Sequence, residues 1–163
     1  MAAWMSRRAW DSLVAGEACR LCESLEAPGS TEADAADAIG YTVAELEMSV
    51  VKLGRDQFAE GYCVVVCKPH VAEPHDLPDG ERELFLAEVM RVGAAVQRVF
   101  KADKMNYQIL GNSVPHTHSH VVPRYWGDPA PGRPYLGDPD RPVLLPEREY
   151  LHRAARVRDG LGR

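Results

Sequence analysis

The chain has 163 residues, a length that suits one folded domain with a buried core. Its 19 basic and 24 acidic residues leave a formal net charge of −5, which argues against general nucleic-acid binding because such binding depends on neutralising phosphates. Apolar residues make up 45% and charged residues 26%, a globular composition that excludes collagen-like, coiled-coil and wholly disordered chains. No apolar run is long enough to span a membrane and no signal-like stretch opens the chain, so we expect a cytoplasmic protein.

The first part of the chain carries two cysteines and then an acidic stretch. Cys19 and Cys22 form a Cys-x-x-Cys pair, which in an intracellular chain indicates thiols or metal ligands rather than a disulfide. A redox role would need a thioredoxin-like βαβ context, and the strand-rich sequence that follows does not offer one. Residues 27–38 are small, acidic and turn-rich, and they predict a mobile surface loop.

The remaining sequence predicts strands, one long helix and an irregular end. The expected elements are a strand in the second half of 41–53, a buried strand over 61–67, a helix over 79–100, strands over 105–110 and 116–124, and a short helix over 147–158 whose arginines lie on a solvated face. Six prolines between Trp126 and Pro146 disfavour regular structure there. This order predicts an α+β fold with a mainly antiparallel sheet of about five strands, one long helix and shorter helices.

We expect residues 1–163 to form one domain, with its core at about 19–124 and a proline-rich C-terminal extension over 125–163. The long helix is the clearest element, because its apolar residues recur every third or fourth position and so lie on one face. Asp79 follows Pro78 and is expected to cap the free N–H groups at the start of this helix.

The decisive segment alternates histidine with other residues. His116, His118 and His120 are two residues apart, so a strand would place all three imidazoles on one face. Neighbouring imidazoles can bind a metal as neutral ligands, or one can act as a nucleophile while the others set its tautomer and move protons. Asn112 and Ser113 precede the run and offer amide and hydroxyl groups to phosphate oxygens. Hydrogen-bonded strand histidines without chemistry are the remaining alternative.

The segment GNSVPHTHSHVVPR resembles the signature of the histidine triad (HIT) superfamily of nucleotide hydrolases and transferases. Upstream, GYCVVVCKPHV is similar to the strand of that family that ends in a Lys-x-His segment, and the Cys19-x-x-Cys22 pair resembles that of its zinc-containing members. Order and spacing agree from about Cys19 to Arg124. The resemblance implies a HIT fold and the transfer or hydrolysis of a nucleoside monophosphate from a phosphoramidate, a dinucleoside polyphosphate or a nucleotide sugar.

The resemblance also implies roles for single residues. His118 matches the histidine that attacks the α-phosphorus, and a nucleotidyl-histidine intermediate then forms. Water or phosphate resolves that intermediate, and phosphate would make the protein a phosphorylase. His120 matches the third histidine, which contacts phosphate or assists proton transfer. Asn112 and Ser113 fall where the family places its α-phosphate contacts.

Two positions depart from the family pattern. Asn112 stands where a glutamine is common, and its side chain is one methylene shorter. Gly54 stands where members often have an aspartate or asparagine that binds the ribose hydroxyls. Asp56 and Gln57 are the nearby candidates for that contact.

The zinc-containing members imply a metal site as well. Two N-terminal cysteines, a histidine after the second strand and the first triad histidine bind the metal, and here these are Cys19, Cys22, His70 and His116. Four protein ligands leave no open position, so the zinc would be structural. Such a metal would hold the N-terminal segment against the sheet and orient the strand that carries His118.

Other functions remain open at this stage. A non-catalytic nucleotide-binding and zinc-stabilised interaction module could keep the same fold. A catalytic metal held by the three histidines is a weaker alternative, because the second strand offers no nearby acid. Family members are often dimers, so the resemblance is compatible with a homodimer whose other partner is a small-molecule nucleotide.

Overall fold

The computed structural model describes residues 4–27 and 32–162. Its helices are α1 (Arg7–Val14), α2 (Arg20–Glu26), α3 (Asp79–Phe100) and α4 (Glu147–Leu161), with a 3₁₀ turn at Pro74–Asp76. Its strands are β1 (Gly40–Glu45), β2 (Ser49–Gly54), β3 (Cys63–Cys67), β4 (Lys104–Gln108) and β5 (His118–Arg124). None of the helices in these two ranges combines the length and apolar character needed to cross a bilayer.

One antiparallel sheet organises the chain, with the strand order β1-β2-β3-β5-β4. This architecture confirms the predicted α+β fold with five strands and one long helix. The strand expected in the second half of 41–53 is β2, and it forms a hairpin with β1, which the sequence pattern did not predict. The chain turns at residues 46–48, where the Leu46 N–H donates to the Ser49 carbonyl at 2.8 Å. Glutamates flank Leu46 on both sides, so the sequence shows no run of apolar residues that would mark the end of β1.

The two faces of the sheet have different surroundings, because alternate residues of a strand point to opposite sides. One face packs against α3 and α4. Its core includes Val43, Val51, Val65 and Val121 of the sheet, Phe85, Val89, Val92 and Val96 of α3, and Tyr150, Ala154 and Val157 of α4. Each such side chain stabilises the fold by about 1.5–3 kcal/mol when fully buried. Val64 and Val66 lie on the opposite face with Cys19 and Tyr62, so this second face is the one that receives the N-terminal segment.

The start of α3 differs from the expectation. Pro78 occupies the cap position, and no side chain caps the helix there. Asp79 is already the first helical residue, and its carboxylate accepts a hydrogen bond from Arg82 at 2.6 Å. The predicted cap at Asp79 was therefore wrong by one residue. A carboxylate in the first turn still interacts favourably with the helix dipole.

The arginines of α4 hold this helix to the body of the protein, and the predicted solvated face was wrong in this respect. The Arg156 guanidinium lies 4.7 Å from the centre of the Phe100 ring. Arg158 donates to the Val43 carbonyl at 2.8 Å and to the Asp34 carboxylate at 2.6 Å. A helical pattern alone does not reveal these contacts, because their partners are distant in sequence.

A buried ion pair anchors part of the acidic segment. Residues 28–31 lie outside the described residues, so the mobile loop expected over 27–38 stays a prediction. The Asp37 carboxylate accepts hydrogen bonds from Lys52 Nζ at 2.5 Å and from Ser24 Oγ at 2.6 Å, and the Lys52 side chain is fully buried. Burial alone would raise the pKa of Asp37, but the hydrogen bonds from Lys52 and Ser24 lower it below its usual value.

We predict that Asp37→Asn lowers the free energy of unfolding at pH 7 by about 3 kcal/mol, because it removes the negative charge beside a buried ammonium group. The folded-state pKa of Asp37 is depressed, so its stabilisation is present above the unfolded-state pKa and is lost as the pH falls through the folded-state value. The difference between wild type and variant should therefore shrink towards zero in acid. Urea denaturation at a series of pH values measures it.

Asp11→Asn is the matched control, since Asp11 pairs with Arg7 on the surface of α1. An exposed pair four residues apart in a helix contributes only about 0.5 kcal/mol. A loss below about 1 kcal/mol at Asp37, which is within the range of such surface pairs, would contradict the prediction, and so would a loss that does not depend on pH.

Candidate active site and metal centre

The strand β5 positions two of the three histidines. It lies between β3 and β4, and His118 pairs with Val66 while His120 pairs with Val64. Both rings lie on the face of the sheet away from the α3 core. Their centres are 4.9 Å apart in an edge-to-face arrangement. His116 precedes the strand, and its ring lies beside that of His70.

A cavity of about 370 Å³ opens beside His118 and His120. Its other lining residues are Arg20 and Leu21 of α2, Ala38, Ile39, Arg55 and Asp56, Tyr62 and Val64, Val114, and Pro142 and Leu144 of the C-terminal segment. Segments that are far apart in sequence therefore converge on the histidines. The C-terminal segment, which the sequence predicts to be irregular, forms part of this wall.

The main chain sets the tautomer of His118. Its Nδ1 lies 2.6 Å from the carbonyl oxygen of His116, and a carbonyl can only accept, so Nδ1 carries the proton. Nε2 then keeps its lone pair. Burial lowers the pKa of His118 below its usual value, which favours the neutral ring. The side chain thus has the form that a nucleophile requires.

A tyrosine contacts His120. The Tyr62 hydroxyl lies 2.6 Å from Nδ1 of His120. Burial raises the pKa of Tyr62 and lowers the pKa of His120 to about 4, so a protonated phenol meets a neutral imidazole. A phenol can donate to Nδ1, so the contact is compatible with a ring proton on Nε2, the opposite tautomer to that of His118.

The four predicted metal ligands lie together. The ligand atoms of Cys19, Cys22, His70 and His116 are all within 4.8 Å of one another, and this cluster could hold a metal ion. The sulfur–nitrogen distances are 3.5 Å for Cys19 to His116, 3.4 Å for Cys22 to His116 and 3.2 Å for Cys22 to His70, and the two Nδ1 atoms are 3.2 Å apart. A tetrahedral ion with ordinary zinc bond lengths requires about 3.5 Å between sulfur and nitrogen and about 3.3 Å between nitrogens.

The Nε2 atoms of His70 and His116 also support a metal ion at this cluster. Nε2 of His116 donates to the Cys67 carbonyl at 2.7 Å, and Nε2 of His70 donates to the Val14 carbonyl at 3.1 Å. Both Nδ1 atoms therefore present lone pairs to the same point. Two lone pairs at 3.2 Å repel each other unless a cation lies between them, so the donor set fits a metal ion.

Asn112 and Ser113 are exposed and do not line the cavity. They precede Val114, which does line it. The structure thus brings together His118 and His120, and separately the four predicted metal ligands, but it places the two predicted phosphate contacts outside the cavity wall.

The two candidates for a ribose contact have different positions. Asp56 lines the cavity, and its Oδ1 accepts hydrogen bonds from the N–H groups of Phe58 and Val143. Gln57 is buried and donates to the carbonyls of the hairpin residues around it, so its amide supports the turn. At Gly54 a Cβ atom would lie 2.5 Å from the Tyr62 ring. A side chain at position 54 would therefore displace the Tyr62 ring, whose hydroxyl contacts His120.

Tyr62 and Arg20 are among the cavity residues that sequence reasoning missed. Tyr62 is two residues before Val64 and so shares its face of the strand, a signal that the period of two already contained. Arg20 lies between the two cysteines, and its presence in the cavity depends on how α2 lies across the sheet. No local pattern predicts that placement.

Comparisons with known proteins agree with this geometry. Residues 39–127 match the HIT domain family, and the chain belongs to that family. Among curated proteins it is similar to the adenosine 5′-monophosphoramidase HNT1 of Saccharomyces cerevisiae, with 28% identity over 89 residues that make up 52% of this chain and 54% of that protein. The chain spans about half the length of the curated relatives that it matches.

Solved structures show the same fold. A histidine triad protein from Marinobacter aquaeolei superposes with a TM-score of 0.70 and 28% identity, covering 77% of this chain and 90% of that one. A zinc-bound histidine triad family protein from Mycobacterium smegmatis gives a TM-score of 0.62 and 26% identity, covering 89% and 94% of the two chains. A metal-binding member of the family is therefore among the structural relatives.

Proposed function

We propose that this chain is a nucleotidyl hydrolase or transferase that acts on the α-phosphorus of a nucleoside phosphoramidate or a dinucleoside polyphosphate. The observation that carries the proposal is the tautomer of His118, whose Nδ1 is engaged by the main chain at 2.6 Å. Its Nε2 is therefore free to attack in a cavity that His118 shares with His120. The name of the yeast relative supports a phosphoramidate as one substrate.

In the first step, Nε2 of His118 attacks the α-phosphorus, and the bond from that phosphorus to the leaving nitrogen or oxygen breaks. The Nε2–H group of His120 donates a hydrogen bond to the leaving group, which takes its proton from water, because a neutral imidazole is too weak an acid to release its ring proton. The product is a nucleotidyl-histidine intermediate. Water then attacks the phosphorus and loses a proton to the solvent, and the bond from phosphorus to Nε2 breaks, which restores His118. With phosphate in place of water, the product is a nucleoside diphosphate and the enzyme is a phosphorylase.

Asn112 and Ser113 would bind the phosphate oxygens in this reaction. Both are exposed, so their amide and hydroxyl groups remain accessible to a ligand. Hydrogen bonds to the equatorial oxygens would stabilise the charge that develops on phosphorus transfer.

We propose that Cys19, Cys22, His70 and His116 hold a zinc ion. Four protein ligands leave no open coordination position, so the ion has a structural role. Burial raises the pKa of Cys22 to about 12, and a bound zinc ion would supply the positive charge that keeps the thiolates deprotonated. We place the protein in the cytoplasm, where thiols stay reduced, since Cys19, Cys22, Cys63 and Cys67 are all free.

The zinc site predicts a metal content near one zinc per chain and a loss of stability when the metal leaves. Cys22→Ala should abolish zinc binding and lower the melting temperature, and a chelator should do the same to wild type. Cys63→Ala is the matched control, because Cys63 is buried in the main core. Elemental analysis and thermal unfolding measure both effects. Equal zinc in the two variants would contradict the site.

His118→Ala should lower turnover of an adenosine phosphoramidate by at least about a thousandfold, because the nucleophile is lost. Turnover of a phosphoramidate, a diadenosine polyphosphate and a nucleotide sugar, with and without inorganic phosphate, identifies the leaving group and the acceptor. Intact-protein mass spectrometry after quenching should detect the nucleotidyl adduct on wild type only. His152→Ala, which removes an exposed histidine of α4, should leave turnover unchanged.

Residual turnover in His118→Ala comparable to that of His152→Ala would contradict the role of His118. If wild type and His118→Ala bind nucleotide equally and neither turns over any of the three substrates, the chain is instead a nucleotide-binding module with a structural metal.

We also propose that the protein forms a homodimer through β4. This strand is at the edge of the sheet, and an unpaired edge is a template for another strand. The exposed apolar side chains nearby are Tyr107, Ile109 and Leu110 after or within β4 and Leu86 and Met90 of α3. Tyr107 packs against Gly93 of α3, so the strand and helix residues form one surface. An antiparallel pairing of two identical edges would cover it on both copies.

Sedimentation velocity tests this assembly. Wild type should sediment as a dimer at micromolar concentration, and Met90→Glu should shift it to the monomer because it buries a charge in the interface. Leu136→Glu, at an exposed leucine that belongs to neither β4 nor α3, should remain dimeric. A monomeric wild type, or a dimeric Met90→Glu, would overturn the assembly.

A further inference from the structure

We infer that Arg20 binds the phosphate of the nucleotide in the cavity and so selects substrates by that charge. This inference rests on the proposed function. It concerns a residue that lies inside the Cys-x-x-Cys segment but is not one of the four clustered ligands.

The placement of Arg20 is fixed by its neighbours in sequence. Cys19 is buried, and the cluster holds it together with Cys22. Arg20 is the first residue of α2, and its exposed side chain lies in the wall of the cavity with His118 and His120. The segment that supplies two of the four clustered ligands therefore also supplies a cation to the histidines.

The charges of the cavity leave Arg20 available. The charged side chains in its wall, apart from the histidines, are Arg20, Arg55 and Asp56. Arg55 donates to the Asp37 carbonyl at 3.2 Å, and Asp56 accepts two main-chain hydrogen bonds. Within the described residues, Arg20 takes part in no ion pair with a carboxylate. Its charge is thus free to act on a ligand.

Arg20 shares the wall of one cavity with both rings. A guanidinium cation in this wall favours negative charge beside the two rings. The α-phosphate of a bound nucleotide must lie there, next to the attacking nitrogen of His118.

Arginine suits this task because its planar guanidinium can donate two parallel hydrogen bonds to a phosphate. Arg20 would bind the ground-state phosphate and would also stabilise the charge that builds up as phosphorus is transferred. A substrate without a charged phosphate would not benefit from this contact. Arg20 is therefore a specificity-determining residue for the phosphate and not for the base or the sugar.

The test compares binding of adenosine 5′-monophosphate with binding of adenosine by calorimetry, so that turnover is not needed. Arg20→Gln should lower the affinity for the monophosphate about tenfold or more, which is the effect of losing a hydrogen bond to a charged group. Adenosine affinity should change less than about twofold, a shift well below one such bond. Arg20→Lys should lie between wild type and Arg20→Gln for the monophosphate. Arg148→Gln, at an exposed arginine of α4 outside the cavity, makes the same charge change and should alter neither affinity.

Zinc content and melting temperature are measured on every variant, since they show whether the cluster around Arg20 is intact. A normal cluster with unchanged monophosphate affinity in Arg20→Gln would overturn the inference, and so would an equal loss for adenosine, because Arg20 would then contact the base or sugar. If Arg20→Gln loses its metal, Arg20→Lys with normal metal decides by the same comparison. A wild type that binds neither ligand would overturn the proposed function together with this inference.

Discussion

The antiparallel pairing of β3 with β5 is the constraint on which both sites depend. The register places Val66 opposite His118 and Val64 opposite His120. It brings the Tyr62 hydroxyl to His120 and the Cys67 carbonyl to the ring of His116. Because side chains alternate along a strand, a slip of one residue would turn the histidines into the valine-rich core beneath α3. Packing of the core on one face of the sheet therefore holds the register of β3 and β5, and this register determines where His118 and His120 lie on the other face.

The spacing of residues along the sequence predicted those parts of the fold that depend on neighbouring residues. Alternating histidines predicted a shared face for His118 and His120, and apolar spacing predicted α3. Local reasoning failed where the deciding contact is distant. Asp37 of the acidic segment pairs with Lys52 of β2, and Arg158 binds Asp34 across the molecule. Such pairings follow from the packed fold, and no window of sequence contains both partners.

The metal cluster and the cavity differ in how they could be found. The ligand types and their order along the chain predicted the cluster, because cysteine and histidine are uncommon and their spacing is diagnostic. The cavity wall consists of ordinary residues such as Arg20, Tyr62 and Leu144, which carry no signature of their own. The resemblance to the HIT family predicted a nucleophile at His118, which lines the cavity, and phosphate contacts at Asn112 and Ser113, which do not line it.

His116 belongs to both sites at once. Its ring nitrogen Nδ1 faces Cys19 and Cys22. Its main-chain carbonyl accepts a hydrogen bond from Nδ1–H of His118 at 2.6 Å. The first contact fixes the side chain of His116 and the second fixes the tautomer of His118. A residue held at its ring by the cluster has little freedom to move its carbonyl, because the ring and the carbonyl belong to the same residue. The ordering of the N-terminal segment and the tautomer of His118 are therefore linked through one residue, which gives a structural metal site a reason to lie directly beside the proposed nucleophile.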